Sequence, residues 1–138
     1  MIVSRAALLA RLAIAYFAFV FFIGFLLGVA RTFWIAPRLG ERAAELVEMP
    51  LMVAASFLVA RALMSRAADV GLRAAVLVGL AALALLVCAE LAVVAFVRGQ
   101  PLADYVTSRD SVSGSAYAIA LLLFAAMPAV ISRRGSQR

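Results

Sequence analysis

Glu41, Glu45 and Glu48 recur at i, i+4 and i+7 in the segment ERAAELVEMP, and Glu90 stands alone in VCAELAV. Carboxylates at the first spacing share one face of a helix. There they could exchange protons, hold a cation, or act as acid and base on a bound substrate. Arg31, Arg38 and Arg42 lie in the same stretch and offer counter-charge. The chain has no histidine, and Cys88 is its one cysteine. Histidine-ligated haem, a Cys/His zinc site, a Ser-His triad and a disulfide framework are therefore excluded within it. Cys88 falls in an apolar run, where a lone cysteine is expected as a small buried hydrophobe. Too few further oxygen ligands accompany the glutamates for a closed metal cage, so no metal is expected.

These groups are embedded in a chain of membrane composition. Its 138 residues are 67% hydrophobic with a mean hydropathy of +1.12, against about 45–50% apolar residues in a soluble domain. The length allows one domain. The net charge of +6 rests on thirteen arginines with no lysine. They are scattered singly between apolar runs, so no nucleic-acid-binding face is expected. A helix needs about 20 apolar residues to cross the hydrocarbon, and four stretches meet or approach that length: about 12–35, 43–62, 74–97 and 115–132. The expected fold class is all-α, an integral membrane four-helix bundle. Two-residue alternation is missing, which sets a barrel aside. The apolar core of the first span, Leu12 to Ala30, has 19 residues. That exceeds the ~7–15 of a signal-peptide core, and with three spans following it reads as a retained anchor. No internal repeat signals an inverted-repeat transporter.

Arginine placement gives an orientation. Arg5, Arg11, Arg61, Arg66, Arg73, Arg133, Arg134 and Arg138 fall on one side of the spans, and Arg31, Arg38, Arg42, Arg98 and Arg109 on the other. The positive-inside rule then places both termini in the cytoplasm, in a bacterial inner membrane crossed several times. Phe33 and Trp34 would anchor the first helix at the outer interface. SRDSVSGS, from Ser108 to Ser115, would form an outer loop leading into the cap of the fourth helix.

Within that frame, Pro37 and Gly40 are expected to break the chain between the first two helices, with Arg31 ending the first. The helix macrodipole accounts for Glu41 and Glu45 at the start of the second, with Arg38 and Arg42 as exposed partners. Glu48 falls deeper, about 7–8 Å into the span, and Glu90 about 10 Å from the same surface. As the second and third helices run in opposite directions, the two carboxylates are expected at similar depth. Arg31, or alternatively Arg98, would reach them by snorkelling. A charge at the bilayer centre costs about 2.5–3.5 kcal/mol, and less toward the interface. A neutralised pair, Arg31 with Glu48 and with Glu90 protonated or hydrogen-bonded, stitching helices together answers that cost, and an outward-opening, proton-exchanging polar site is the functional alternative. Pro50 and Pro128 each leave a helix carbonyl without its donor. Gly24 and Gly28 in the first helix mark a close-packing face that continues to Arg31, and Gly79 with Ala75, Ala82 and Ala89 marks another in the third. FAFVFF, Phe17 to Phe22, reads as lipid-facing and core bulk. A groove for a bound lipid, quinone or pigment is the alternative, and no other cofactor is evident.

In Arg42, Glu48 and Pro50 the second span resembles the arginine–glutamate–proline segment of the membrane-associated glutathione-metabolising proteins, which would imply a trimer. The family's asparagine is missing and the Glu48–Pro50 spacing is one residue short, so the resemblance carries no residue roles here. Small multidrug-resistance exporters also have four helices in a short chain, but carry their glutamate in the first helix, which holds no acid here. Three functions remain. The favoured one is a non-catalytic accessory or assembly subunit of a larger membrane complex, contacting lipids and other subunits or copies of itself. A small proton-coupled oligomeric transporter using Glu48 or Glu90 comes second. An intramembrane enzyme acting on a lipid or isoprenoid comes third.

Overall fold

The computed structural model describes residues 4–67, 69–97, 99, 101, 103–104, 107 and 111–136. Four long helices dominate: α1 (Arg5–Leu39), α2 (Glu41–Arg66), α3 (Leu72–Val97) and α4 (Ser111–Ser136). No strand occurs among the described residues. All four helices are long and apolar enough to cross a membrane. α1 begins ahead of its apolar stretch, where Arg5, Ala6, Ala7, Ala10 and Arg11 are good helix formers. Ser4 starts α1, its Oγ accepting the Ala7 N–H at 3.2 Å. Gly40 separates α1 from α2 with φ at 86°, in the left-handed region that a side chain disfavours.

Two expected boundaries differ. Arg31 does not end the first helix, and Pro37 does not break it. The helix passes through a π turn at Arg31–Ile35, in which the Ala36 N–H donates to the Arg31 carbonyl, and resumes as Ala36–Leu39. Pro37 sits at the start of that resumed turn, where its fixed φ suits a helix and its missing N–H costs least. The chain therefore turns at Gly40 alone. The serines and glycine from Ser111 to Ser115 lie inside α4 rather than in a loop. Serine is tolerated in a first helical turn, where N–H groups lack intrahelical partners. Residues 108–110 of the expected outer loop fall outside the described residues.

The helices close into a ring in which α1 packs on α2 and α3, and α4 packs on the same two. So α2 and α3, successive in the chain, occupy opposite corners. Their connection is held by the Val70 N–H to the Ala67 carbonyl at 3.0 Å, and by the Ser132 hydroxyl of α4 to the Val70 carbonyl at 3.1 Å. Burial is uneven along the bundle. One core cluster joins Leu12, Met64, Val70, Ala74 and Val78, and a second joins Tyr16, Val20, Ala60, Ala82, Leu86 and Phe124. Both lie in the half carrying the α2–α3 connection or at mid-length. Toward the Gly40 end, the buried residues among those described are Ala44 and Val94. The bundle is tight at one end and loose at the other.

Candidate functional site

Arg31 lies nine residues before Gly40 and Glu48 eight after it, so on two antiparallel helices both stand about 12–13 Å from the turn. Their side chains meet. Arg31 Nε is 3.2 Å from Glu48 Oε2, and Arg31 Nη1 donates to Glu45 Oε1 at 3.3 Å. All three side chains are largely shielded, with exposures of 27% for Arg31, 20% for Glu45 and 14% for Glu48. In this shielding, removing one partner would cost more than at a wet surface. One guanidinium thus serves two carboxylates and pins α1 to α2. Glu48 Oε2 is closed off from solvent and takes no hydrogen bond. Arg31 is within ion-pair reach of it without aiming an N–H along the line. Glu45, expected as an exposed residue at the start of α2, is largely shielded and makes this cross-helix contact. The i, i+3, i+7 stripe of Glu45, Glu48 and Met52 faces α1, where Met52 packs on Gly24.

The remaining expected residues are dispersed. Glu90 is half-buried on α3, at the corner diagonal to α2, so matching depth does not set it beside Glu48. Arg98 falls outside the described residues. Gly28 lies between Gly24 and Arg31 in sequence, yet a Cβ built on it would meet nothing within 4 Å. The Gly24–Gly28 face is therefore a close approach at one glycine only. At Gly79 the backbone of α4 at Ala125 occupies the space a side chain would need. Cys88 is exposed on the outside of the bundle rather than buried, because α3 turns its Ala75–Gly79–Ala82–Leu86 stripe inward.

A second polar group, Tyr16, was not among the expected residues. Its ring stacks on Phe124 with centroids 4.4 Å apart and planes 9° from parallel, and its hydroxyl donates to the Phe124 carbonyl at 2.6 Å. That carbonyl is four residues before Pro128, so it is the one whose helical donor the proline removes. Ser56 of α2 sits beside the same hydroxyl and donates its own proton to the Met52 carbonyl at 2.8 Å. The tyrosine thus links three helices at the centre of the bundle. The sequence signal was a lone tyrosine in an apolar run and a proline far along the chain, and nothing in the spacing joins them.

On the outside of the α2/α4 seam runs a groove of about 620 Å³, lined by apolar side chains from Leu46 to Phe57 and from Ala116 to Met127. No cluster of three or more potential metal ligands occurs among the described residues. The chain matches no protein-family model, no curated protein and no solved structure, so chemistry has to be read from these groups themselves.

Proposed function

We propose that the four helices form one membrane domain of a bacterial inner membrane, with both termini in the cytoplasm. In it the chain serves as a non-catalytic accessory or assembly subunit of a larger membrane complex. The observation that carries this reading is the pairing of Arg31 with Glu45 and Glu48 across the α1–α2 seam. In hydrocarbon such groups are retained either to work or to hold helices together. Here the guanidinium is engaged on both sides by carboxylates of the neighbouring helix, which supports the holding role. The loosely packed Gly40 end, on the outer side in this orientation, gives partner helices a face to complete. Partners are other membrane subunits or further copies of the chain, together with lipids.

A proton-coupled transporter is the second reading, favoured by one specific feature. Two carboxylates share a single guanidinium, and the Glu48 oxygen facing Arg31 takes no hydrogen bond. Extraction of the tagged chain at native abundance, followed by mass and composition of the intact particle, separates the two. Foreign subunits in fixed stoichiometry are the expected result. A particle containing only this chain would overturn the accessory reading. Glu48→Gln in proton-flux assays would then test the transporter.

A further inference from the structure

The core layer nearest the chain termini takes a residue from each helix: Leu12, Met64, Ala74 and, packed against them, Ile131. Just beyond that layer each helix carries an arginine. Arg11 precedes Leu12, Arg66 lies two past Met64, Arg73 precedes Ala74, and Arg133 lies two past Ile131. At about 1.5 Å per residue, the four stand within about 3 Å of one layer. One or two residues along a helix from an inward position is a rotation of about 100–200°. The four therefore point outward on all sides of the bundle, and all are exposed. Arg61, three residues before Met64, is exposed one turn deeper, and its long side chain can reach the same level.

This ring is unbalanced. Among the described residues Asp69 is the one acid at that end, and no carboxylate pairs with any of the four arginines. The Gly40 end differs, since its Arg31 is engaged by Glu45 and Glu48. Helix dipoles favour a cation in a last turn, which suits Arg66 and Arg133. They disfavour one in a first turn, where Arg73 stands, and Arg11 lies beyond the first turn of α1, out of their reach. Orientation by positive charge needs a surplus of arginines on one side, and no common level. Unpaired guanidinium groups at one height all round the bundle match a plane of anions. An acidic protein would meet one side of such a ring, whereas the phosphate plane of a bilayer meets every side. The chain has no lysine, and the guanidinium fork is the group that takes two phosphate oxygens at once.

We propose that the arginine ring binds the phosphates of anionic phospholipids and gathers acidic lipid around the end of the bundle that carries the termini. The proposal rests on the membrane-spanning part of the reading above and is independent of the accessory role.

The test uses the full chain, isolated from membranes and reconstituted into vesicles of equal phosphatidylglycerol and phosphatidylcholine with matched acyl chains. Both leaflets have that composition, so orientation does not affect the result. Mild re-extraction and native mass spectrometry then count retained lipid. The wild type is expected to keep phosphatidylglycerol with about a fivefold preference, the worth of one basic side chain at an anionic surface. High salt should weaken that preference. Arg11→Gln with Arg73→Gln should lower it by about twofold or more. Arg38→Gln with Arg42→Gln, an equal change of charge at the Gly40 end, should leave it as it is. All four of these side chains are exposed, so helicity by circular dichroism should be unchanged in both double variants. Equal retention of the two lipids by the wild type, or equal loss of preference in the two double variants, would overturn the proposal. So would an acidic protein held in place of lipid and released by the Arg11→Gln, Arg73→Gln pair. Recovery of the chain in the soluble fraction would instead overturn the membrane reading, before any lipid is counted.

Discussion

Pro128 withdraws the donor of the Phe124 carbonyl, and Tyr16 replaces it from the diagonally opposite helix at 2.6 Å. An unsatisfied carbonyl in an apolar interior is costly, so the tyrosine hydroxyl and the proline should be energetically coupled. Tyr16→Phe keeps the ring stack and removes only the donor. It is expected to destabilise the protein by about 0.6–2 kcal/mol, the range for hydrogen bonds between membrane helices. In a Pro128→Ala background the helix regains its own N–H and the loss should shrink toward zero. Unfolding in mixed micelles across the four variants checks this, and additive effects would refute the coupling. The Arg31 cluster could be partly foreseen, because residues equally far from a turn meet on antiparallel helices. That Glu45 would join Glu48 on the same guanidinium could not. Glu48 and Glu90 match in depth and both their helices pack on α1, so the side of the helix each carboxylate stands on decides which one meets Arg31.

At the scale of helices, four apolar runs were enough to foresee four helices, since continuous hydrophobicity without alternation leaves few other solutions. Their ends were less legible. The uninterrupted apolar run stops at Ala30, whereas the helix continues through a π turn to Leu39, because helix formation depends on propensity and hydrogen bonding as well as on greasiness. Small-residue spacing was an equally partial guide. It finds faces on which backbones could approach, and the neighbour's position then determines whether they do. Gly79 and Gly28 should therefore respond oppositely to one methyl group. Gly79→Ala forces α3 from the Ala125 backbone and is expected to cost about 1–3 kcal/mol. Gly28→Ala meets open space and should gain up to about 1 kcal/mol through better helix propensity. Thermal unfolding of both variants in one detergent checks the contrast, and equal losses would show that the glycine spacing acts as a single face.

Across the whole molecule, packing and charge are both polarised. Core clusters fill the half carrying the α2–α3 connection, and that end also gathers Arg5, Arg11, Arg61, Arg66, Arg73, Arg133 and Arg134. The Gly40 half has little buried apolar surface among the described residues, so its backbone should open more readily. Amide hydrogen exchange is expected to be slower at Ala60, Val78 and Ala82 than at Val47, Leu51 and Val93. Uniform protection along each helix would contradict this. Charge polarity is visible in the sequence. Packing polarity is not, because both halves of the spans are apolar and rich in alanine and leucine. The ring order has a further consequence in time rather than space. Translation delivers α1, α2 and α3 before α4, and until then α2 and α3 each rest on α1 with no shared seam between them. Tyr16 also waits for its acceptor, and Gly79 for the backbone that covers it. The nascent protein is thus an unfinished three-sided assembly until α4 emerges, exposed for that interval to quality-control proteases and to capture by other apolar helices.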